Sequence, residues 1–438
     1  MEADKRHGDK QGGQSLSYSR QWARLDNAAK IFPPTTSVRD AKVFRFVCEL
    51  YEPVDSEILR HALDKTVKRF PHYRCVIKKG LFWYYFEQSP LMPVVREEYK
   101  PPCSTIYDVD KKKLLFEVTY YKCRINLEVF HALSDGAGAM QFLQTLVLYY
   151  FAEKYAEEID PEVGASIHNA SESQKNTDSF SKYYKKSNHH GNNRAKIGPA
   201  AYQHKGEILP EFRVGVIEGI ASAEEIRTLA AEHGATLTEF MTAVFIKAIH
   251  EGMSYSEERK PVVISIPVNL RRFFPSESAR NFFGLISVSH QFRSGGDSFE
   301  DIMKSVQTCY REQLKKEKLA EKVNSLIGIE QNFAAKIVPL ALKNPGMRFA
   351  HWLRARTFTA TLSNIGRVTI PEQFEKHVRL FDLLNRTRKM QLCLCTYQDK
   401  LMITFTAPFI NTDVQRCFFR ELTGHGIKME VTTNRYEV

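Results

Sequence analysis

Apolar positions in the first third of the chain recur with the spacing of helices and of strands in turn. Asp55 is the expected N-cap of a helix, because apolar residues follow it every three or four positions until Pro71 ends the run. Alternating apolar residues from Cys123 to Phe130 predict a strand, and a helical stripe follows from Ala137 to about Phe151. The other strands predicted in this part of the chain cover residues 41–51, 75–77, 82–86 and 114–120.

The regular pattern stops between Asp160 and Lys205, where serine, asparagine, lysine and glycine dominate. Such a composition is typical of a linker, so we predict two halves joined by a crossover segment. In the second half, capping signals at Ser222 and Thr236 each open a helix, the first of which is expected to end at Gly234. Strands are predicted over residues 212–217, 262–268, 358–362, 390–397 and 401–406.

Both halves therefore mix strands with helices, which predicts an α+β or α/β fold class. The predicted organisation is a disordered tail at 1–17, an N-terminal subdomain at 18–160, a crossover linker at 161–205 and a C-terminal subdomain at 206–438.

The composition is that of an ordinary globular protein, with 43% hydrophobic and 26% charged residues among 438. No run approaches the roughly 18 uninterrupted apolar residues of a membrane span. Residues 1–14 lack the apolar region of a secretory signal, so we expect a cytoplasmic protein without a transmembrane segment. The eight cysteines show no metal-ligand spacing, and Cys393 and Cys395 are expected on one face of a buried strand rather than in disulfides.

The net charge of +11 raises the question of a nucleic-acid partner. The cations are spread along the chain, however, and the dense group Lys315, Lys316 and Lys318 alternates with acidic residues as on a solvated helix face. An anionic small ligand or a carrier protein accounts for this charge equally well. We expect no nucleic-acid partner, and charge alone does not choose between the other two.

Residues 131–136, His-Ala-Leu-Ser-Asp-Gly, place a candidate general base on a rigid support. His131 lies at the end of the predicted strand, which would hold its imidazole in a cleft. An unperturbed pKa near 6.5 suits imidazole for taking a proton from a hydroxyl or an amine. Asp135 would cap the next helix and pair with an arginine. Gly136 would adopt backbone angles that a side chain forbids and leave room for a substrate.

The spacing alone has a second interpretation, an ordinary strand-to-helix junction in which Asp135 is only an N-cap and His131 has no catalytic role. The adjacent pair His189-His190 lies in the polar linker without a strand to position it, so we predict no role for it. The chain contains no Gly-x-Ser-x-Gly elbow, P-loop or His-Glu-x-x-His motif that would indicate another enzyme class.

The motif His131-x-x-x-Asp135-Gly136 resembles the HxxxDG motif of a large acyltransferase superfamily. That superfamily includes chloramphenicol acetyltransferase, condensation domains of nonribosomal peptide synthesis, plant BAHD acyltransferases and wax ester synthase/diacylglycerol acyltransferases. The likeness is closest to bacterial proteins called alcohol acetyltransferases. Many relatives carry two adjacent histidines, whereas Phe130 precedes His131 here. Further similar segments, which extend the resemblance over residues 18–438, are Arg24–Pro33, Ala62–Pro71, Gly234–His250, Pro267–Arg271 and Ser363–Gly366.

The resemblance implies two chloramphenicol-acetyltransferase-like domains, each a mixed sheet flanked by helices, with an active-site tunnel between them. It implies an acyl-CoA-dependent O-acyltransferase that uses acyl-CoA as a co-substrate and has no bound cofactor, no metal and no covalent acyl-enzyme. His131 would be the general base that activates a hydroxyl acceptor. Asp135 would pair with Arg271, rather than with Arg272, in a structural role.

Ser363 and Asn364 resemble the Ser-Asn motif of the wax ester synthase relatives, and are candidates for contacts to the oxyanion or the substrate. A turn and a side-chain-capped strand end are the alternative interpretations of these two residues. Two other functions stay open at this point: a condensation-like transferase with an acyl-carrier-protein donor, and a non-catalytic relative that binds a ligand in the tunnel. A monomer is expected.

Overall fold

The computed structural model describes residues 22–26, 28–158, 198–276, 278–293, 297–331 and 337–434. The predicted tail, most of the predicted linker and His189-His190 lie outside the described residues. The strands are β1 (Trp22–Arg24), β2 (Val43–Leu50), β3 (Cys75–Lys79), β4 (Tyr84–Gln88), β5 (Val95–Glu97), β6 (Phe116–Tyr121), β7 (Arg124–Phe130), β8 (Gly215–Ser222), β9 (Val262–Asn269), β10 (Phe283–His290), β11 (Ala360–Val368), β12 (Val378–Asn385), β13 (Gln391–Tyr397), β14 (Lys400–Ala407) and β15 (Glu430–Thr433). The α-helices are α1 (Phe32–Thr35), α2 (Ser56–Arg69), α3 (Gly136–Lys154), α4 (Ala223–Glu232), α5 (Leu237–His250), α6 (Phe299–Gln313), α7 (Lys316–Gln331), α8 (Leu340–Ala355), α9 (Glu372–Glu375) and α10 (Asp413–Gly424).

The two large sheets have strands in both orientations. The N-terminal sheet has the order β12-β2-β7-β6-β5, in which only β5 and β6 are parallel neighbours. The C-terminal sheet has the order β10-β9-β11-β13-β14-β8-β15, and β11 is parallel to both of its neighbours. A small sheet, β1-β4-β3, completes the described strands. The structure is thus a two-domain mixed α/β fold, which confirms the predicted fold class.

One strand from the second half of the sequence belongs to the sheet of the first half. Residues 378–385 lie in the predicted C-terminal subdomain, yet β12 pairs antiparallel with β2, and Leu383 lies opposite Phe46. Most of β12 is buried, because this strand also packs against β13 and β14 of the C-terminal sheet. Sheet membership therefore does not follow the division at residue 206.

A buried ionic contact also joins the two sheets. The guanidinium of Arg124 on β7 donates one hydrogen bond to each carboxylate oxygen of Glu218 on β8, both at 3.0 Å. The same guanidinium donates through Nε to Glu49 on β2, at 2.6 Å. A forked cation is suited to two carboxylates at once, so this cluster fixes the register of one sheet against the other.

Local signals account for most elements of the first half. The Asp55 carboxylate accepts hydrogen bonds from the second and third backbone amides of α2, and Pro71 follows the helix. The strands predicted at 75–77 and 82–86 are present as β3 and β4, which pair antiparallel as a hairpin over residues 75–79 and 84–88. In the second half, Thr236 and Glu239 form the predicted capping box of α5. Strand β8 begins at Gly215, three residues later than expected.

Candidate active site

His131 follows the last residue of β7 and begins a tight turn that leads into α3. The strand is buried from residue 125 to 130, so its end is held by the core on both faces of the sheet. The backbone amide of His131 donates to the carbonyl of Lys42, 2.8 Å away, just before β2. Lys42 has a positive φ of 54°, an uncommon conformation for a side-chain-bearing residue. The strand-end position of His131 expected from the sequence is therefore present.

Aromatic rings surround the imidazole of His131. Phe32 on α1 stacks against it at 4.6 Å between ring centroids, and Phe44 on β2 approaches edge-on at 5.0 Å. Phe283, the first residue of β10, lies at 5.5 Å. The Nδ1 atom is buried and makes no standard hydrogen bond with any described residue, while the ring as a whole is partly exposed. Nε2 is therefore the ring nitrogen on the partly exposed side of the imidazole.

Burial lowers the pKa of His131 below its usual value of 6.5. The charged imidazolium loses more hydration on burial than the neutral ring does, which is the reason for this direction. Its own backbone, the Asp135 charge and the Asn281 side chain oppose the effect, and the Lys42 ammonium adds to it. The imidazole is consequently neutral at pH 7.

Asp135 holds the other end of the turn and is almost completely buried. Its Oδ1 accepts the backbone N–H of Gly138 at 2.9 Å, which caps α3. Its Oδ2 accepts a hydrogen bond from Arg271 at 2.8 Å and from the backbone of Phe282 at 2.7 Å. Within the described residues, Asp135 makes no hydrogen bond with the imidazole of His131. The predicted contact between Asp135 and Arg271 is thus present, and its geometry is that of a support for the turn.

Arg271 connects this turn to the C-terminal sheet. Its Nε and one terminal nitrogen both donate to the carbonyl of Ser278, at 2.9 and 2.7 Å. Arg272, by contrast, is exposed. A further pair of hydrogen bonds links the segment before β10 to the turn: Ser134 donates to the Ala279 carbonyl at 2.6 Å, and Asn281 donates to the Ala132 carbonyl at 3.2 Å.

Residues 278–282 and strand β10, which follows them, were not predicted from the sequence. Ile286 and Val288 alternate with serines in β10, a period-two signal that could have revealed the strand. The contacts of residues 278–283 with the turn carry no comparable local signal, because they join positions more than a hundred residues apart.

Gly136 does not have the backbone conformation that we expected of it. Its φ is not in the left-handed region, which in the described residues contains Gly234, Gly366 and Gly426 among the glycines. A Cβ at position 136 would instead lie 3.0 Å from the terminal methyl group of Ile365. At Gly138 a Cβ would overlap the carbonyl oxygen of Ala279. The tight approach of the two chain segments therefore requires glycine at 138 more strictly than at 136.

Ser363 and Asn364 lie on β11 of the C-terminal sheet. The Asn364 amide nitrogen donates to the Thr238 hydroxyl at 2.9 Å, and its carbonyl oxygen accepts the backbone N–H of Gly366 at 2.8 Å. The pairing of β11 with β13 is irregular between Asn364 and Gly366, so this side chain caps a bulge. Ile365 at the bulge is the residue that packs beside Gly136.

None of the helices in the described ranges has the length and hydropathy needed to cross a bilayer. In the same part of the chain, no group of three His, Cys, Asp or Glu side chains is arranged to hold a metal ion. All eight cysteines are free, and Cys393 and Cys395 are both buried in β13.

Comparison with known proteins identifies the class to which this fold and turn belong. The first condensation domain of the calcium-dependent antibiotic synthetase covers 96% of this chain and is itself fully covered, with a TM-score of 0.62 at 14% identity. TRI3 trichothecene 15-O-acetyltransferase from Fusarium sporotrichioides matches at 0.59 and 11% identity, over 92% of this chain and 93% of its own. Polyketide synthase associated protein 5 from Mycobacterium tuberculosis matches at 0.56 and 12% identity, over 91% and 96%. The fold is that of two-domain condensation and acetyltransferase proteins.

The family can be stated more narrowly. Residues 167–423 match the family model of alcohol acetyltransferases. The chain belongs to the alcohol acetyltransferase family. The matched range begins after the turn that carries His131. Arg271, Ser363 and Asn364 lie within the family match, whereas the turn lies only within the structural matches. No curated protein sequence matches this chain.

Proposed function

We propose that this acyltransferase transfers an acyl group from acyl-CoA to a hydroxyl acceptor, with His131 as the general base. The setting of His131 carries the proposal. The end of β7 and the neighbouring aromatic side chains hold the imidazole ring, and its Nδ1 atom is buried. Burial lowers the pKa of His131, so the ring is neutral at pH 7. Neutral imidazole is the form that accepts a proton.

The proposed reaction needs only this one base. The acceptor hydroxyl gives its proton to Nε2 of His131 while its oxygen attacks the thioester carbonyl carbon. The carbonyl π electrons move to the carbonyl oxygen, which becomes an oxyanion. When the carbonyl re-forms, the carbon–sulfur bond breaks and the electron pair leaves with sulfur. The thiolate then takes the proton from the imidazolium, which restores neutral His131 and yields an ester and free coenzyme A.

Asp135 and Arg271 act as positioning residues in this proposal. The carboxylate is occupied by Arg271 and by two backbone amides, so it has no role as a proton relay. It fixes the turn on which His131 stands, and positioning to within fractions of an ångström is what a base requires.

The oxyanion needs a hydrogen-bond donor, and the sequence offered Ser363 and Asn364. The Asn364 amide already bonds to Thr238 and to Gly366, which favours its interpretation as a capped strand end. The Ser363 hydroxyl is the candidate that we retain. The net charge of +11 suits coenzyme A, whose phosphates are anionic, and does not by itself separate this donor from an acidic carrier-protein thioester.

Release of free thiol from acyl-CoA, measured against a panel of alcohols, tests the proposal. His131→Ala should lower the rate by a factor of about 10²–10⁴, the usual contribution of a general base. His425→Ala, at an exposed histidine near the end of α10, is the matched control and should retain full activity. Equal activity of both variants would refute the role of His131. Release only from an acyl-carrier-protein thioester would refute coenzyme A as the donor and leave the base unaffected.

A further inference from the structure

Helix α8 has an inner face that holds it to the N-terminal domain. Leu340 is the buried residue of this helix, and Met347 packs against the N-terminal core. Asn344 donates to the hydroxyl of Tyr84 at 2.9 Å. These residues lie three or four positions apart, so they share one side of the helix. Helix α8 has sixteen residues, yet it contributes little to the hydrophobic core, and most of its surface is exposed to solvent.

The outer face of α8 carries large apolar side chains in water. Leu342 is 70% exposed, Phe349 61% and Trp352 49%. Their spacing of seven and three positions puts them in one stripe, opposite the inner face. Phe349 and Trp352 stack on each other at 5.9 Å between ring centroids. Exposed Leu81 lies beside the start of the helix, where its carbonyl accepts the N–H of Leu340. We call Leu81, Leu342, Phe349 and Trp352 the outer stripe.

An exposed apolar stripe indicates a binding partner, and the charge around the stripe indicates the kind of partner. The sequence has no Asp or Glu from residue 337 to residue 371. Within the helix and just after it stand Lys343, Arg348, Arg354 and Arg356, and the guanidinium of Arg356 lies 4.9 Å from the Trp352 ring. The exposed Arg356 thus places a cation at the aromatic end of the outer stripe, and the segment itself contributes no acidic side chain, which matches the surface of a bilayer that contains anionic phospholipid.

The outer stripe lies close to the proposed base. Helix α8 packs on α1, and the Arg348 side chain donates to the Pro34 carbonyl at 2.8 Å. Phe32, in the same short helix, is the ring that stacks on His131. Helix α1 therefore lies between α8, which carries the outer stripe, and the imidazole.

We infer that the outer stripe docks this protein on anionic phospholipid bilayers as a peripheral surface. The apolar side chains enter the headgroup region, and the cations bind lipid phosphates and carboxylates. Docking in this orientation turns the α1 side of the site towards the bilayer, where apolar alcohols accumulate. The inference concerns a surface outside the proposed catalytic residues and does not require His131 to be the base.

Sedimentation of the full chain with phospholipid vesicles tests this inference. The wild-type protein should bind vesicles of phosphatidylcholine with phosphatidylserine more tightly than pure phosphatidylcholine vesicles, and added salt should weaken that binding. The double variant Phe349→Glu, Trp352→Glu should reduce binding by at least about tenfold, since it removes two apolar side chains from the headgroup region and places two negative charges against anionic lipid.

The matched control makes the same change of charge on exposed aromatic residues elsewhere. Tyr121 is 45% exposed and Tyr255 71%, and the double variant Tyr121→Glu, Tyr255→Glu should bind nearly as well as wild type. Both variants should keep the wild-type unfolding midpoint and the wild-type thiol release with a short, water-soluble alcohol.

Failure of the wild-type protein to bind anionic vesicles, or equal loss in both double variants, would overturn the inference. The inference would also be overturned if the wild-type protein formed a dimer that dissociates only in the outer-stripe variant and did not bind vesicles. A second copy of the chain would then cover the outer stripe. Binding to an acidic carrier protein through the outer stripe, again without vesicle binding, would overturn it in favour of that partner.

Discussion

The two ends of the turn from residue 131 to residue 135 have opposite surroundings. Asp135 is buried in a network of hydrogen bonds that includes the Arg271 guanidinium and two backbone amides. His131 is packed against the rings of Phe32 and Phe44 and has a buried nitrogen without a standard hydrogen-bond partner. Four positions along the chain thus separate a carboxylate held by hydrogen bonds from an imidazole packed among aromatic rings.

The difference follows from what each group loses on burial. A carboxylate remains charged near pH 7, so its burial is tolerable only where cations and N–H donors replace water. Imidazole avoids that cost by giving up its proton, and the aromatic rings then favour the neutral form. In the proposed reaction, this difference gives Asp135 the positioning role and His131 the role of proton acceptor.

The largest effect on stability should come from breaking the ion pair. Arg271→Ala leaves the Asp135 carboxylate buried without its cation, which should cost about 3–5 kcal/mol of unfolding free energy. Urea unfolding measures this loss, and Asp135→Ala should lose a similar amount. Arg272→Ala, at the neighbouring exposed arginine, should change stability by less than about 0.5 kcal/mol. Equal effects of the two arginine variants would show that the pair does not hold the turn.

Alanine substitution at Gly136 and at Gly138 tests how much close packing around the Asp135 carboxylate contributes to stability. Gly138→Ala forces a methyl group against the Ala279 carbonyl, and such overpacking costs about 1–3 kcal/mol. Gly136→Ala should cost less, since the obstacle there is the flexible end of the Ile365 side chain at 3.0 Å. Thermal unfolding of the two variants provides the comparison, and a larger loss for Gly136→Ala would contradict this packing.

The smallest effect concerns the proton affinity of His131. The pKa of His131 is lowered in the folded protein, so below pH 6.5 the unfolded chain binds a proton more readily. The contribution of this group to stability falls as the pH drops from 6.5 to the folded pKa. On the same basis, the acid limb of kcat/KM should have its midpoint below 6.5.

Removing one ring tests the cause of that shift. Phe32→Ala admits water beside the imidazole, so the midpoint of the acid limb should rise towards 6.5. A pH–rate profile of wild type and variant gives both midpoints. A midpoint that falls in Phe32→Ala would rule out burial as the main cause.

The sequence predicted the parts of the site that local patterns encode. The strand ending before His131, the cap at Asp135 and the helix after it follow from apolar spacing and helix-capping chemistry. The contact between Asp135 and Arg271 came from a family resemblance and is present in the structure. The roles of these residues in acyl transfer stay predictions.

The parts that were missed depend on contacts between distant positions. Pairing of β12 with β2 joins residues more than three hundred positions apart, and the apolar pattern of β12 does not specify which sheet it enters. The approach of Phe283 to His131 and of Ala279 to Gly138 likewise results from the docking of the two domains. The expectation of a special backbone conformation at Gly136 was wrong because packing, rather than φ, accounts for the small residue there.

The pH dependence of kcat/KM in His131→Gln tests the central claim most directly. Glutamine retains much of the volume of the ring and cannot accept a proton near neutral pH. We predict a folded protein whose thiol release is lower by a factor of about 10²–10⁴ and whose profile lacks the acid limb of the wild type. Activity within about tenfold of wild type, or an acid limb that persists unchanged, would contradict the assignment of His131 as the base.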